Sequence, residues 1–163
     1  MSGGLRLADE WPGRPPGKAE LRLWLRLLSA AGLIESRIRA RLRAEFEVTL
    51  PQFDLLAALE RARGPLTMSA LSERLMVSGG NVTGIVERLR ADGWLDRRPA
   101  PEDRRVQHVA LTESGRARFA AMAAAHEGWL RELFGGLSAG EAEELMRLLG
   151  RVKQSVERSE GGA

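Results

Sequence analysis

Residues 78–93, SGGNVTGIVERLRADG, decide how this chain is read. At about 100° per residue, a helix over this stretch gathers Val82, Ile85, Val86 and Leu89 on one side. Gly80, Asn81, Thr83, Gly84, Glu87 and Arg88 fall on the other. Ser78 offers a hydroxyl to cap the first turn, with Asn81 three residues on as a weaker capping-box partner. Two glycines on a solvent-facing helix side cost roughly 1 kcal/mol each relative to alanine. Close approach of a nucleic-acid backbone or base edges would offset that cost; an ordinary surface helix of poor propensity is the alternative. Asn81 is suited to a two-point hydrogen bond with an adenine edge and Thr83 to a base or a phosphate, while Arg88 stands at the height of a phosphate.

The sequence that follows supplies a second element of the same kind. Gly93 is placed to end the helix in a left-handed conformation. Trp94 to Arg98 reads as a short strand, PAPEDRR (99–105) as a rigid charged tip, and VQHVALT (106–112) as the return strand. Its period-two alternation puts Val109 and Leu111 on one face. Arg97, Arg98, Arg104 and Arg105 crowd this hairpin beside Glu102 and Asp103. An arginine held by a neighbouring carboxylate is pre-organised for a narrow, electronegative minor groove. A solvated hairpin with scattered ion pairs is the competing reading. With a short helix ahead of them, residues 66–115 spell a winged helix-turn-helix, which puts one helix in a major groove and a loop in the minor groove beside it.

LTMSALSERLMVSGGNVTGIVERLRADGWLDRR (66–98) followed by EDRRVQHVALTESG (102–115) resembles the DNA-binding core of the MarR family of bacterial regulators. Asp103, Arg105, Leu111, Thr112 and Gly115 fall in register with that family's D-x-R wing and following L-T-x-x-G. The resemblance extends over roughly residues 20 to 157. It implies a wing arginine at Arg105 oriented by Asp103, a homodimer built from the terminal helices, and small effectors bound where those helices meet the winged domain. The paired Gly79-Gly80 departs from the family pattern. LRLWLRLLSAAGLIESRIRARLR (21–43), TLPQFDLLAALER (49–61) and LMVSGGNVTGIVERL (75–89) resemble a subgroup that controls aromatic-acid degradation, some members of which respond to hydroxycinnamoyl-CoA thioesters. A CoA ligand needs cations for its phosphates, and Arg37, Arg39, Arg41 and Arg43 are candidates. Spacing by two spreads them around a helix, so a solvated helix surface remains the alternative.

The flanks read as helical arms. Ala19 to Phe46 carries one stripe, Leu27, Ala31, Ile34, Ile38 and Leu42, and a second, Leu21, Trp24, Leu25 and Leu28. A helix apolar over so much of its circumference needs partners on more than one side. Ser138 with Glu141 forms a capping box ahead of a seam of Leu145, Leu148, Leu149, Val152 and Val156. These arms read as a dimerisation layer, with packing inside one chain as the alternative. Thr49, Pro51 and Gln52 start a further helix, and Thr112 to about Leu133 forms another. Candidate effector-pocket residues are Trp24, Leu28, Phe53, Phe119, Met122 and His126, although stripes of this kind also serve as plain core.

The expected fold is mostly α with a small β-hairpin wing (α+β). Its parts are a mobile N-terminal arm at 1–17, a helical dimerisation layer at 18–48 and 113–158, and the winged helix-turn-helix at 49–112. Composition suits this reading. A chain of 163 residues can bury roughly 70% of its unfolded surface without disulfide or metal. It has no cysteine, and its histidines are His108 and His126, so no metal site or cofactor is expected. Of 25 basic residues all but Lys18 and Lys153 are arginine, the side chain suited to bidentate phosphate and base contacts. No nucleophile with a base, paired carboxylates or phosphate loop marks an enzyme. Neither a signal peptide nor a membrane span is visible, so the expected location is the cytoplasm. The expected partners are double-stranded DNA at an inverted-repeat operator, a second copy of the chain, and an effector that is an aromatic acid or aromatic acyl-CoA. A winged-helix protein-interaction module without specific DNA binding is the other reading, since fold does not set function.

Overall fold

A computed structural model describes residues 18–62, 64–75, 79–101 and 103–160. The N-terminal arm expected at 1–17, Ser78 and Glu102 lie outside the described residues. The chain divides into two compact units, one reaching to His126 and one from Glu127 onward.

The first unit runs α1 (Ala19–Phe46), α2 (Leu50–Ala62), β1 (Leu66–Thr67), α3 (Met68–Leu75), α4 (Gly79–Ala91), β2 (Leu95–Pro99), β3 (Gln107–Leu111) and the larger part of α5 (Glu113–Leu133). α1 ends where Glu47 turns left-handed at φ 57°, which lets the Val48 N–H reach back to the Leu42 carbonyl at 3.3 Å. Two residues later Thr49 and Gln52 cap α2 reciprocally. The Thr49 N–H donates to Gln52 Oε1 at 2.8 Å, and the Gln52 N–H to Thr49 Oγ1 at 3.4 Å. α2 buries Phe53 and every residue from Leu55 to Leu59, so it is the hub on which α3, α4 and β3 pack. Thr67 caps α3 by accepting from the Ala70 N–H at 3.1 Å.

The expected hairpin is two strands of a three-stranded antiparallel sheet ordered β1-β3-β2. Leu66 and Thr67 pair with Val109 and His108, and Leu95 to Pro99 with Leu111 to Gln107. Gly93, at φ 76°, makes the turn from α4 into β2. The L-T-x-x-G stretch then acquires a physical reading. The Thr112 hydroxyl donates to the Gly93 carbonyl at 2.8 Å and accepts from the Gly115 N–H at 2.9 Å, capping α5. A Cβ at Gly115 would stand 1.8 Å from the Trp94 carbonyl oxygen, so only glycine lets α5 start this close to the turn.

The second unit holds the end of α5 and α6 (Ala139–Glu160). Its capping box forms as expected: the Ser138 N–H donates to Glu141 Oε2 at 2.8 Å and the Glu141 N–H to Ser138 Oγ at 3.3 Å. Those bonds hold the Glu141 carboxyl below its ordinary pKa. Along α6, Leu145, Leu148, Leu149, Val152 and Val156 are each 40–53% exposed.

Candidate nucleic-acid interface

The two faces of α4 separate as the sequence implies except at Glu87, which the sequence groups with the outward residues but which is only partly exposed and bonds Arg97 of the sheet. Val82, Val86 and Leu89 are fully buried and Ile85 partly so, while Gly80, Asn81, Thr83, Gly84 and Arg88 are exposed. A Cβ at Gly80 or Gly84 would meet nothing within 4 Å. The fold itself therefore has no use for either glycine. Arg88 donates through Nε to Asp92 at 3.2 Å, an exposed pair within one helical turn that leaves the guanidinium easily recruited elsewhere.

The wing folds tightly at its root and opens at its tip. The Ala100 N–H donates to the Val106 carbonyl at 2.8 Å, and Ala100 is itself buried. Asp103 acts on Arg105 through the backbone: its Oδ1 accepts from the Arg105 N–H at 2.9 Å. Among the described residues, no carboxylate pairs with the guanidinium of Arg104 or Arg105, and both are exposed. Arg98 is exposed and bonded to Asp96 at 2.7 Å, which holds the Asp96 carboxyl below its ordinary pKa.

Arg97 leaves the group in which the sequence placed it. It lies two residues after buried Leu95 and opposite buried Val109, hence on the inner face of the sheet. There its Nη1 donates to Glu87 Oε1 at 2.9 Å. The alternation along β2 was the available signal; composition obscured it. Another missed link is Arg118, whose guanidinium lies 3.7 Å from the Trp94 ring centroid and donates to the Asp92 carbonyl at 3.1 Å, tying α5 to the end of α4.

The six effector-pocket candidates divide. Phe53 stacks at 5.7 Å from Phe119 and 4.6 Å from His126, and Met122 is fully buried. Trp24 and Leu28 instead lie on the exposed apolar half of α1, with Leu21, Leu23 and Leu33. Burial pushes the His126 imidazole below its ordinary pKa, with Asp54 pulling the other way; burial raises Asp54 against the attraction of Arg61 and His126. Asp54 also lines a cleft of about 330 Å³ with Ala58, Arg61, Arg74 and Leu75. Among the described residues no cluster of His, Cys, Asp or Glu could hold a metal, and no helix is long and apolar enough to cross a membrane.

Residues 46–106 match the model of the MarR family. Over 111 residues the chain is 37% identical to the HTH-type transcriptional repressor NicR of Pseudomonas putida, a match covering 68% of this chain and 70% of NicR. The chain belongs to the MarR family. A second relative, the HTH-type transcriptional regulator PecS of Dickeya dadantii, is 29% identical over 153 residues, 92% of each chain. Among solved structures, Bordetella bronchiseptica BpsR, described for the regulation of its DNA binding by 6-hydroxynicotinic acid, matches with a TM-score of 0.71 and 27% identity. That match covers 85% of this chain and 98% of BpsR. As a MarR-family protein this chain is a DNA-binding transcriptional regulator and not an enzyme.

Proposed function

We propose that the protein is a homodimeric repressor that grips an inverted-repeat operator with α4 and the wing and is released by an aromatic effector. The observation that carries the DNA half is the split of α4: a fully buried face of Val82, Val86 and Leu89 beneath an exposed face of Gly80, Asn81, Thr83, Gly84 and Arg88. Asn81 and Thr83 read base edges, with Gly80 and Gly84 allowing close approach; Ser78 keeps the helix-capping role that the sequence suggests. Arg88 and Arg98 take phosphates. Arg104 and Arg105 enter the minor groove from a tip that Asp103 braces. The exposed apolar seams of α1 and α6 support the homodimer, and residues 18–48 and 113–158 are its proposed dimerisation layer. Such a regulator works in the cytoplasm.

The effector is an aromatic acid or its CoA thioester. The effector is assigned to the cluster of Phe53, Phe119 and His126 with buried Met122, while Trp24 and Leu28, exposed on α1, are assigned to the dimer seam. The likeness to BpsR, whose DNA binding responds to 6-hydroxynicotinic acid, favours the free acid. The cleft that Asp54 shares with Arg61 and Arg74 offers guanidiniums to a carboxylate. Operator titration against a panel of aromatic acids and thioesters tests this. By linkage, a true effector weakens operator binding by roughly 5- to 150-fold and is itself bound more weakly by the operator complex to the same extent. A panel with no such member at saturating concentration defeats the ligand assignment. In the same titrations Arg88→Ala is expected to lower the salt slope by about one unit on every duplex, as loss of one phosphate contact does.

A further inference from the structure

Inside the reading head, one ion pair joins the two parts that proposed DNA reading requires to act together. Arg97 of β2 reaches Glu87 of α4 at 2.9 Å, across ten residues of sequence and between different elements. The pairs Arg88–Asp92 and Arg90–Glu87, by contrast, lie within or just beyond one turn of α4. The Arg97 side chain is 32% exposed, against 73% for Arg88. Its Nε is buried without a hydrogen-bond partner. The guanidinium has thus given up water on one side, and Glu87 is what holds it in the seam. That bond is also the largest influence keeping the Glu87 carboxyl below its ordinary pKa.

We infer that Glu87 and Arg97 are positioning residues that clamp the wing to α4 at the angle DNA requires, and that operator affinity depends on this clamp although neither side chain touches DNA. The inference rests on the reading of α4 and the wing given above. Its electrostatic sign makes it distinctive. Glu87 is a carboxylate one residue from Arg88, so if it acted only as a charge near phosphates its removal would tighten DNA binding. A clamp requires the reverse: without Glu87 the desolvated guanidinium leaves the seam, and the wing loses its fixed bearing on the helix. Tip and helix then no longer reach their grooves together, which costs specific binding and leaves attraction to phosphates intact.

The test is operator and random-duplex titration over a salt series with the full chain and its Glu87→Gln, Arg97→Gln and double variants. Expected is a loss of about tenfold in operator affinity for either single variant, with an unchanged salt slope and undiminished random-duplex binding. The double variant should lose no more than either single one, because both break the same link. If Glu87→Gln does not fold, Glu87→Asp, which keeps the charge but shortens its reach, is expected to show the same loss. Operator binding by the carboxylate variant that equals or exceeds wild type, or single losses that add in the double variant, overturns the clamp. Arg105→Ala in the same titrations separates the two levels. If it weakens binding while Glu87→Gln does not, the clamp alone fails; if neither does, the reading of the wing fails with it.

Discussion

The hydrophobic residues around α4 and those along α6 follow the same helical spacing but meet different fates. Val82, Val86 and Leu89 are sealed against α2, α3 and the sheet, and the turn into β2 is locked by Thr112 and Gly115. Leu145, Leu148, Leu149, Val152 and Val156 stay open to solvent along about three turns, as do Leu21, Trp24 and Leu28 at the start of α1. The residues of α4 complete a core within the chain, whereas α1 and α6 each leave an apolar stripe uncovered, the kind of surface that monomers rarely keep open. The reading head should therefore be stable in its own right, whereas the arms should depend on protein concentration.

Leu149→Ala gives the largest expected effect. In an interface it should cost about 2–5 kcal/mol per buried leucine, and the melting temperature of the parent protein should rise with protein concentration, because association is linked to folding. If the seam is simply solvated, the cost stays within about 0.5 kcal/mol and melting is independent of concentration. Thermal melts over a hundredfold range of concentration decide between them. Gly115→Ala strikes the closed region instead. Forcing a Cβ against the Trp94 carbonyl should cost about 1–3 kcal/mol as overpacking, at every protein concentration alike. An alanine variant as stable as the parent would mean that the α4–β2 turn gives way freely.

The smallest effect concerns protons. Burial lowers the His126 pKa, so the fold favours the neutral ring. The stability this brings is present above about pH 6.5, the ordinary histidine value, and is lost as pH falls through the lower folded value. Denaturant midpoints measured across that window should fall toward acid, and His126→Gln should flatten this part of the profile. A profile unchanged by the substitution would assign the acid response to other groups.

Where the sequence was legible, a local physical rule sufficed. The bounds of α1, the start of α2 near Thr49–Gln52, the capping box of Ser138 with Glu141, the left-handed turn at Gly93 and most of the division of α4 into two faces follow from spacing and capping within a few residues. β1 escaped because two residues carry no period; only pairing with His108 and Val109 makes them a strand. Composition groups Arg97 with the outward arginines, although strand alternation from buried Leu95 turns it inward to Glu87. Spacing alone does not separate the effector candidates. Phe53 and Phe119 at core spacing look the same whether they seal a core or line a pocket, and Trp24 lies on an α1 surface whose covering depends on association.

The most direct measurement of the central claim is a hydroxyl-radical footprint of the protein on its operator, wild type beside Arg105→Ala. Two protected half-sites about one helical turn apart are predicted, with flanking minor-groove protection contributed by the wing. Arg105→Ala should lose that flanking protection and about 1–3 kcal/mol of affinity, most on A·T-rich flanks, while the central protection from α4 persists. A single protected half-site, or flanks that remain protected without Arg105, would contradict the account.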